Sequence, residues 1–180
     1  MRNLLTKNNI VKRKYRILGI DPGSRIAGYA VIDSYKNKMD LIDFGTVKLQ
    51  SDFDGEKLYQ LSEFLIKIIE SLRPDMIAVE KVFMGKNVLS ALKLGQVRGV
   101  ILLTAQKLGV LQFDYSPNEI KKAISGVGHA SKEQVQFMAK QLFRLQETPA
   151  VDAADAIAVA VCHASNYAYK KMLSEAENEK

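Results

Sequence analysis

The amino-acid sequence predicts a single α/β domain in which a mixed β-sheet is flanked by helices. Three strand-like runs joined by hairpin-length connections open the chain and predict an antiparallel meander. Helical and strand-like segments alternate after it, which favours parallel strands joined by helical crossovers. With 180 residues and 47% hydrophobic composition, the chain is long enough to bury one core without metal or disulfide support.

The predicted meander begins at residue 15. Its first strand ends in Ile17-Leu18-Gly19-Ile20 and is followed by the turn sequence Asp21-Pro22-Gly23-Ser24. Residues 26–32 and 39–49 predict the second and third strands, and residues 36–38 predict the turn between them. These connections are too short for parallel crossovers, so the three strands are expected to be antiparallel.

A helix and a buried strand are predicted next. Leucine and isoleucine recur at helical spacing over 55–72, and Pro74 follows where a helix should stop. The continuous apolar run within 75–80 favours a strand buried on both faces. This strand ends on an acid, Glu80.

A long helix and another strand follow. Apolar residues alternate with small ones over 88–107, and Gly95 and Gly99 predict a helix that packs closely against a neighbour. Gly109 is placed to cap this helix. The run at 110–115 predicts the fifth strand.

Two shorter helices are predicted over 117–124 and 131–145, because a capping box begins each of them. In a capping box, the side chain of the first residue accepts a hydrogen bond from the backbone N–H of the residue three positions later, and the side chain of that residue accepts one from the backbone N–H of the first. The paired residues are Ser116 with Glu119 and Ser131 with Gln134.

The last predicted helix is rich in alanine and spans 150–171, just after Pro149. Residues 172–180 are polar and predict a frayed tail. The sequence therefore divides into a basic extension (1–14), one folded domain (15–171) and a C-terminal tail (172–180).

The net charge of +6 is concentrated at the N-terminus. Residues 1–14 hold five basic residues and no acid, which leaves +1 for the rest of the chain. This extension is expected to be flexible, either as a solvated tail or as a basic arm that grips a nucleic-acid backbone. Because the domain itself is nearly neutral, overall charge alone does not predict a nucleic-acid partner.

Cysteine usage favours a reducing compartment. Cys162 is the only cysteine, so no intramolecular disulfide is possible, and a cytoplasmic location is expected. The N-terminal apolar run, Leu4 and Leu5, is too short for a signal peptide, and no stretch of about 18 apolar residues predicts a membrane span. Cys162 and His163 are interpreted as packed core, and two histidines as far apart as His129 and His163 do not suggest a zinc site.

Four acidic residues stand at positions that favour a ligand site. Asp21 and Glu80 each end a predicted strand, and ligands of α/β sheets bind at such ends. Asp152 and Asp155 are three residues apart, hence on one face of the last helix. Ordinary alternatives exist, because Asp-Pro-Gly is also a common turn and acids in the first turns of a helix interact favourably with its dipole.

Together the four carboxylates predict a site for a hard divalent cation, with Mg²⁺ as the expected ion and Mn²⁺ as a substitute. Two such ions about 3.5–4 Å apart activate water and stabilise the leaving oxygen in phosphodiester cleavage, so we expect two ions per subunit. That chemistry requires acids rather than a protein nucleophile.

Four sequence blocks carry a family resemblance: ILGIDPGSR at 17–25, VEKVFMGKN at 79–87, ALKLGQVRGV at 91–100 and DAADA at 152–156. With these blocks the sequence resembles, over residues 16–168, the RuvC family of bacterial Holliday-junction resolvases. The first block alone would be weak, since actin-like ATPases also open with a strand, an acid and a glycine. Four blocks in order are specific.

The resemblance implies a ribonuclease H-like fold and a metal-dependent endonuclease. It matches Asp21, Glu80, Asp152 and Asp155 to the four metal-binding catalytic acids of the family. It further implies a homodimer that cuts two opposed strands of a four-way junction symmetrically, in recombination and repair, and leaves 5′-phosphate and 3′-hydroxyl ends. RuvA and RuvB, the branch-migration proteins, are the implied partners, and the helix near 91–106 is the implied dimer element.

The resemblance also implies several DNA contacts. Phe83 matches an aromatic that stacks at the junction centre, and Lys121 and Lys132 match lysines near the catalytic site. Lys86 and Lys122 are further candidates for DNA binding. On the residues alone, Phe83 is an ordinary hydrophobic anchor and the lysines are solvated surface groups.

Two features have no counterpart in the family pattern. One is the basic extension before Tyr15, and the other is His129 in the loop 126–130, to which no role is assigned. Gly126 and Gly128 in that loop allow close backbone approach to DNA, although flexibility explains them equally well.

Two competing hypotheses remain on sequence grounds. An actin-like ATPase is suggested by the opening strand and turn, but such proteins need a second lobe and this chain is short. A junction-binding scaffold without catalysis is the other, and the intact acids argue against it.

Overall fold

The structure is a computed structural model that describes residues 14–35, 38–82 and 88–178, with side chains of the last helix described as far as Tyr167. The predictions made for residues 1–13, for Lys36 and Asn37, and for Phe83 and Lys86 lie outside the described residues. Those predictions remain as stated.

The sheet has five strands in the order β3-β2-β1-β4-β5. β1 pairs antiparallel with β2, and β2 with β3, whereas β1–β4 and β4–β5 are parallel. The predicted mixed sheet, with an antiparallel meander followed by parallel strands, is therefore confirmed. The strands are β1 Tyr15–Asp21, β2 Ile26–Tyr35, β3 Lys38–Lys48, β4 Met76–Glu80 and β5 Leu111–Tyr115.

Five helices flank this sheet within the described residues: α1 Asp54–Leu72, α2 Val88–Lys107, α3 Pro117–Ser125, α4 Lys132–Phe143 and α5 Val151–Asn178. Both predicted capping boxes are present, at Ser116 and at Ser131. The predicted boundaries differ most at α5, which continues to Asn178 instead of ending near residue 171. Periodicity in an alanine-rich segment marks a helix well but gives little signal for its end.

Two layers of helix cover the two faces of the sheet. α3, α4 and α5 bury one face, with Ile17 and Ile32 in that core, and α1 and α2 bury the other, with Leu18 and Val31. Successive strand residues point to opposite faces, so each strand contributes to both cores.

Close packing brings α5 directly onto the centre of the sheet. A Cβ atom on Gly19 would clash with the backbone oxygen of Ala156 and with Ala160. Glycine on the strand and alanine on the helix therefore allow the two backbones to approach. This contact determines where the first turns of α5 lie relative to the strand ends.

At the N-terminal end of β1 the charges are paired. The guanidinium of Arg16 donates to both oxygens of Asp33, at 2.7 and 2.8 Å, and to the backbone oxygen of Leu72 at 2.7 Å. Lys14 adds a contact of 2.8 Å to Asp33. These bonds hold the pKa of Asp33 below its usual value, with the Arg16 hydrogen bond as the largest cause.

Cys162 and His163 are fully buried in the core, as their interpretation required. His163 lies 2.8 Å from the hydroxyl of Tyr115 through Nδ1 and 3.2 Å from Met76 Sδ through Nε2. The ring of Phe113 stacks on it in a tilted arrangement. These contacts link α5 to β4 and β5.

α2 is unusual in exposing much of its apolar surface. Among the described residues, α2 is the one helix long and apolar enough to cross a membrane, judged by length and composition only. One such helix is weak evidence for a membrane span, because helices of soluble proteins pass the same test. Val97 and Ile101 are buried against the sheet side, whereas Leu92 is 61% and Leu103 is 70% exposed. The helix thus has one face in the core and one apolar face that is largely exposed.

Candidate active site

The carboxyl ends of β1 and β4 bring the first two predicted acids together. Asp21 is the last residue of β1 and Glu80 the last residue of β4. These neighbouring parallel strands pair in the register Ile20 with Val79, so the residues that follow, Asp21 and Glu80, emerge side by side. They are joined by a hydrogen bond between their side chains.

The N-terminal end of α5 supplies the other two acids. Gly28 of β2 pairs with Asp21, and a Cβ on Gly28 would overlap the backbone oxygen of Asp152. The absence of a side chain there lets the first turn of α5 lie against the sheet next to Asp21. Asp155, one helical turn further, faces the same space as Asp21 and Glu80.

Two lysines from α3 and α4, which lie in the same helical layer as α5, border the acids. Lys121 lies on α3 and Lys132 is the first residue of α4, and both helices start at fixed positions because of their capping boxes. The resulting cleft has a volume of about 300 Å³. Its lining residues are Asp21, Glu80, Pro117, Ile120, Lys121, Lys132, Val135 and Asp155.

Larger grooves exist elsewhere, with volumes of about 560 to 740 Å³. Among the described residues, none of these three grooves is lined by more than two acidic side chains. Volume alone would favour them, but the convergence of carboxylates and lysines makes the smaller cleft the candidate active site.

The charge in the cleft changes the acidity of its carboxylates. Burial, followed by repulsion from Glu80 and Asp155, raises the pKa of Asp21 to about 8. The raised pKa favours the protonated form of Asp21, which donates to Glu80 in the hydrogen bond between them. Repulsion from Asp152 adds to the effect.

Glu80 and Asp155 are shifted in the same direction. Burial is the largest cause of the raised pKa of each, and the nearby lysines act against it. Lys121 and Lys132 both lower the pKa of these two carboxyls through their charge. The lining of the cleft thus combines three carboxyl groups with two ammonium groups.

Among the residues that the structure describes, no three His, Cys, Asp or Glu side chains already stand in a metal-binding arrangement. The donor set nevertheless fits a hard divalent cation, because all its donors are carboxylate oxygens. A cation between Asp21 and Glu80 would replace their shared proton and offset the repulsion that raises their pKa values. The residues present therefore fit the predicted metal.

The other predicted DNA contacts are placed less centrally or are not described. Lys122 is exposed on α3 and does not line the cleft. His129 is exposed in the loop just before α4, where Gly128 approaches the backbone of Asn118. Phe83 and Lys86 fall outside the described residues.

Sequence reasoning missed Gly28 altogether. Its importance depends on a contact with Asp152 that spans most of the chain, and no local pattern reports such a contact. A glycine within a strand is the only signal, since it often marks a close approach of another backbone.

A five-stranded mixed sheet with acids at two adjacent strand ends and on the helix that crosses them defines a ribonuclease H-like nuclease. Solved structures agree on this class. The chain is similar to Thermus thermophilus RuvC in complex with a Holliday junction substrate, with a TM-score of 0.81 and 30% identity over 87% of this chain and 97% of that one. The yeast mitochondrial Holliday junction resolvase Ydc2 shares the fold, with a TM-score of 0.63 at 16% identity over 93% of this chain and 87% of that one.

The chain belongs to the RuvC family of crossover junction endodeoxyribonucleases. The family model described as crossover junction endodeoxyribonuclease RuvC matches residues 17–163. The crossover junction endodeoxyribonuclease RuvC of Geobacter sulfurreducens is 45% identical over 159 residues, which are 88% of this chain and 97% of the relative. That of Agrobacterium fabrum is 43% identical over 87% of this chain and 92% of the relative. The resemblance predicted from the four blocks is confirmed, and the actin-like ATPase hypothesis is dropped.

Proposed function

We propose that this protein resolves four-way DNA junctions by hydrolysing one phosphodiester bond in each of two opposed strands. The observation that carries the proposal is the cleft itself, in which Asp21, Glu80 and Asp155 converge with Lys121 and Lys132. Family membership supports the substrate, and the Thermus relative is described in complex with a Holliday junction substrate.

Asp21, Glu80, Asp152 and Asp155 would hold the metal, and we propose two Mg²⁺ ions per subunit with Mn²⁺ as a substitute. When bound, divalent cations activate water and neutralise charge on the leaving oxygen. All the donors are oxygens on β1, β4 and α5, which are rigid elements, so the ligand positions are held by the fold.

The chain's own residues prepare this site in two ways. The proton on Asp21 must leave for its carboxylate to act as a ligand, and Glu80 is its hydrogen-bonded neighbour. Lys121 and Lys132, on the rim formed by α3 and α4, provide cations at the place where the scissile phosphate would enter. There they would hold the phosphate and stabilise the charge that develops on its oxygens.

Residues near the cleft are proposed to hold the junction. Lys122 is exposed next to Lys121 and is suited to a backbone phosphate. Phe83 is proposed to stack on an unpaired base at the junction centre and Lys86 to contact DNA, both from their positions in the family motif. In the family, this chemistry leaves 5′-phosphate and 3′-hydroxyl ends.

A homodimer is proposed through the exposed apolar face of α2. Leu92 and Leu103 lie on this face, and Gly95 and Gly99 lie between them with open space above each Cα. Helical spacing places these four residues along one stripe. Small residues in such a stripe allow a second helix to approach, and burial of the leucines would stabilise the pair.

Dimerisation also explains the symmetry of the proposed reaction. An isologous pair presents two identical clefts related by a two-fold axis, which matches two opposed strands of a four-way junction. RuvA and RuvB are proposed as further partners on family grounds. Because the substrate is chromosomal DNA and the sole cysteine is a thiol, we propose a cytoplasmic location.

A cleavage assay tests this function. Purified protein with Mg²⁺ is given a synthetic four-way junction and, as a control, a linear duplex that contains the sequence of one arm pair. We expect the junction to be cut much faster, at symmetric positions on two opposed strands, with ends that a ligase reseals. Equal rates on both substrates, or cuts on one strand only, would overturn the proposal.

A further inference from the structure

We propose that the N-terminal segment, residues 1–13, binds in the groove between the outer edge of β3 and the end of α4. The segment itself lies outside the described residues. The groove has a volume of about 560 Å³ and is lined by residues 39–44 and 142–145. The inference goes beyond the proposed nuclease function and does not depend on it.

β3 is an edge strand, so one row of its backbone N–H and C=O groups is open to a further strand. Within the described sheet, β3 pairs with β2 and has no strand on its other side. The groove follows this open edge, and the end of α4 forms its other wall. Such an edge is a template for an extended segment, which binds through main-chain hydrogen bonds. The groove therefore fits an extended chain.

Apolar side chains add to the groove. Ile42 on the strand is 41% exposed and Leu142 on the helix is 49% exposed. An apolar segment between them would remove both from water, which stabilises the bound state. The N-terminal segment contains four apolar residues suited to this: Leu4, Leu5, Ile10 and Val11.

Two acids of the groove have no cation as a partner among the described residues. Asp40 and Asp43 are exposed, and neither forms an ion pair with a described side chain. Arg144 also lines the groove, which thus carries two acids and one cation. The N-terminal segment has no acid and four cations: Arg2, Lys7, Lys12 and Arg13. Its charge therefore complements that of the groove.

The described chain begins close to this groove. Tyr15 at the start of β1 pairs with Ser34 of β2, and Ser34 pairs with Met39 of β3. Two strand spacings, about 10 Å in total, therefore separate the start of β1 from the groove.

Lys14 extends positive charge in the same direction. Its ammonium group lies 2.8 Å from Asp33, and Asp33 is the cross-strand neighbour of Asp40. Cross-strand neighbours have side chains on the same face of a sheet. A chain that continues from Lys14 therefore brings its next cations, Lys12 and Arg13, towards the first acid of the groove.

The segment is long enough to reach and fill the groove. Residues 39–44 span about 20 Å of strand, at about 3.4 Å per residue. With the 10 Å to be crossed, the path is about 30 Å, whereas 13 extended residues span about 43 Å. The bound segment would run antiparallel to β3, because its last residue lies at the end of the sheet where β3 begins.

The test uses a nitroxide spin label on the segment, which broadens the NMR signals of nearby backbone amides. The label is attached to Asn9→Cys in the full chain, without DNA. Cys162 is buried, and wild type treated with the same reagent shows whether that thiol reacts. The other edge of the sheet is the internal control, because β5 is two strands from β1, as β3 is.

We expect broadening at residues 40–44 and 142–145 to be several times as strong as at residues 111–115 of β5. A segment that stays in solvent would approach the two edges to a similar extent. Equal broadening at the two edges would therefore overturn the inference.

A pair of double variants tests the charge argument. Asp40→Asn/Asp43→Asn should lose most of the selective broadening, because the groove then no longer attracts the cations of the segment. The matched control is Asp52→Asn/Glu56→Gln, which removes two exposed acids beyond the far end of β3 and should keep the selective broadening. Equal broadening in the two double variants would overturn the inference, and unchanged β5 signals show that each variant is folded.

An alternative binding surface is provided by α5. The ring of Tyr15 packs against that of Tyr167, with centroids 5.1 Å apart, so α5 also lies close to the start of β1. Broadening confined to residues 168–178 would overturn the inference in favour of that helix. Junction cleavage by the same proteins is measured separately and bears on the proposed function alone.

Discussion

Strand β1 has an acid-containing cluster at each of its ends, about 20 Å apart for a strand of this length. At its start, Asp33 is buried to 2% exposure and is paired with Arg16 and Lys14. At its end, Asp21 lies among three other acids, with lysines only at the rim of the cleft. The pKa of Asp33 is lowered and that of Asp21 is raised to about 8.

The difference separates a structural use of charge from a functional one. A carboxylate that is matched by cations of the same chain contributes to stability, whereas acids gathered without such a match cost stability. Of the two ends of β1, only the Asp21 end carries this destabilising group of acids. It is the end at which the strand termini, α5 and the cleft meet. We propose that a divalent cation from outside the chain offsets the unmatched acids at the Asp21 end.

The largest expected effect comes from Asp21→Asn. Loss of one carboxylate removes both a metal ligand and negative charge, and we expect the cleavage rate to fall at least about a hundredfold, as for other losses of transition-state electrostatics. Junction binding should be retained, because asparagine keeps the size of the side chain. Single-turnover cleavage with Mg²⁺, alongside a gel-shift assay, measures both.

Asp33→Asn is the control variant in the same cleavage assay, and it is expected to leave activity unchanged. The cleavage rate per folded molecule should match wild type, since Asp33 lies at the far end of β1. A rate loss as large as that of Asp21→Asn would mean that the two ends do not differ in the way proposed.

The free energy of unfolding should be lowered by Asp33→Asn rather than by Asp21→Asn, the reverse of the order expected for the cleavage rate. Asp33→Asn weakens charge-assisted hydrogen bonds from Arg16, and we expect it to cost about 1.5–3 kcal/mol of unfolding free energy. Because the folded pKa of Asp33 is lowered, this stabilisation is present above the unfolded pKa of about 4 and is lost as pH falls through the folded value. Urea unfolding at pH 7 and at pH 3 measures it, and an equal loss at both values would contradict the ion-pair account.

The smallest effect is a pH-dependent gain in Asp21→Asn without divalent cations. The raised folded pKa means that the native state keeps a proton that the unfolded chain loses above about pH 4. Wild-type stability should therefore fall as pH rises from about 4 to 8, and the variant should fall less, because only Glu80 and Asp155 then keep a raised pKa. Each kcal/mol corresponds to about 2–4 °C in Tm for a domain of this size, so we expect several degrees of difference at pH 8.

The same comparison near pH 4 is the control, because the folded and unfolded states of wild type then differ least in the protonation of Asp21 and the Tm difference should be smallest. A constant difference between pH 4 and pH 8 would contradict the assignment of the proton to Asp21.

Much of the fold followed from local patterns in the sequence. Apolar runs, hairpin-length connections and capping boxes such as Ser116 with Glu119 predict elements from neighbouring residues, and these were confirmed. The convergence of Asp21 and Glu80 followed from a general property of parallel strands. The predicted end of α5 near residue 171 was wrong, because the polar, alanine-containing segment that follows is still compatible with a helix.

Contacts between residues far apart in the sequence could not be predicted from such local patterns. The ion pair of Arg16 with Asp33 depends on strand register, and the contact of Gly28 with Asp152 depends on how α5 crosses the sheet. The apolar stripe of α2 had two interpretations, core or interface. The exposure of Leu92 and Leu103 in the structure favours the interface.

The central claim, that the unmatched acids at the end of β1 receive divalent cations, is tested most directly by anomalous diffraction from crystals soaked in Mn²⁺. We predict anomalous peaks among the carboxylates of Asp21, Glu80, Asp152 and Asp155, and none beside Asp33. Peaks confined to other parts of the surface, or none in the cleft at saturating Mn²⁺, would contradict the account.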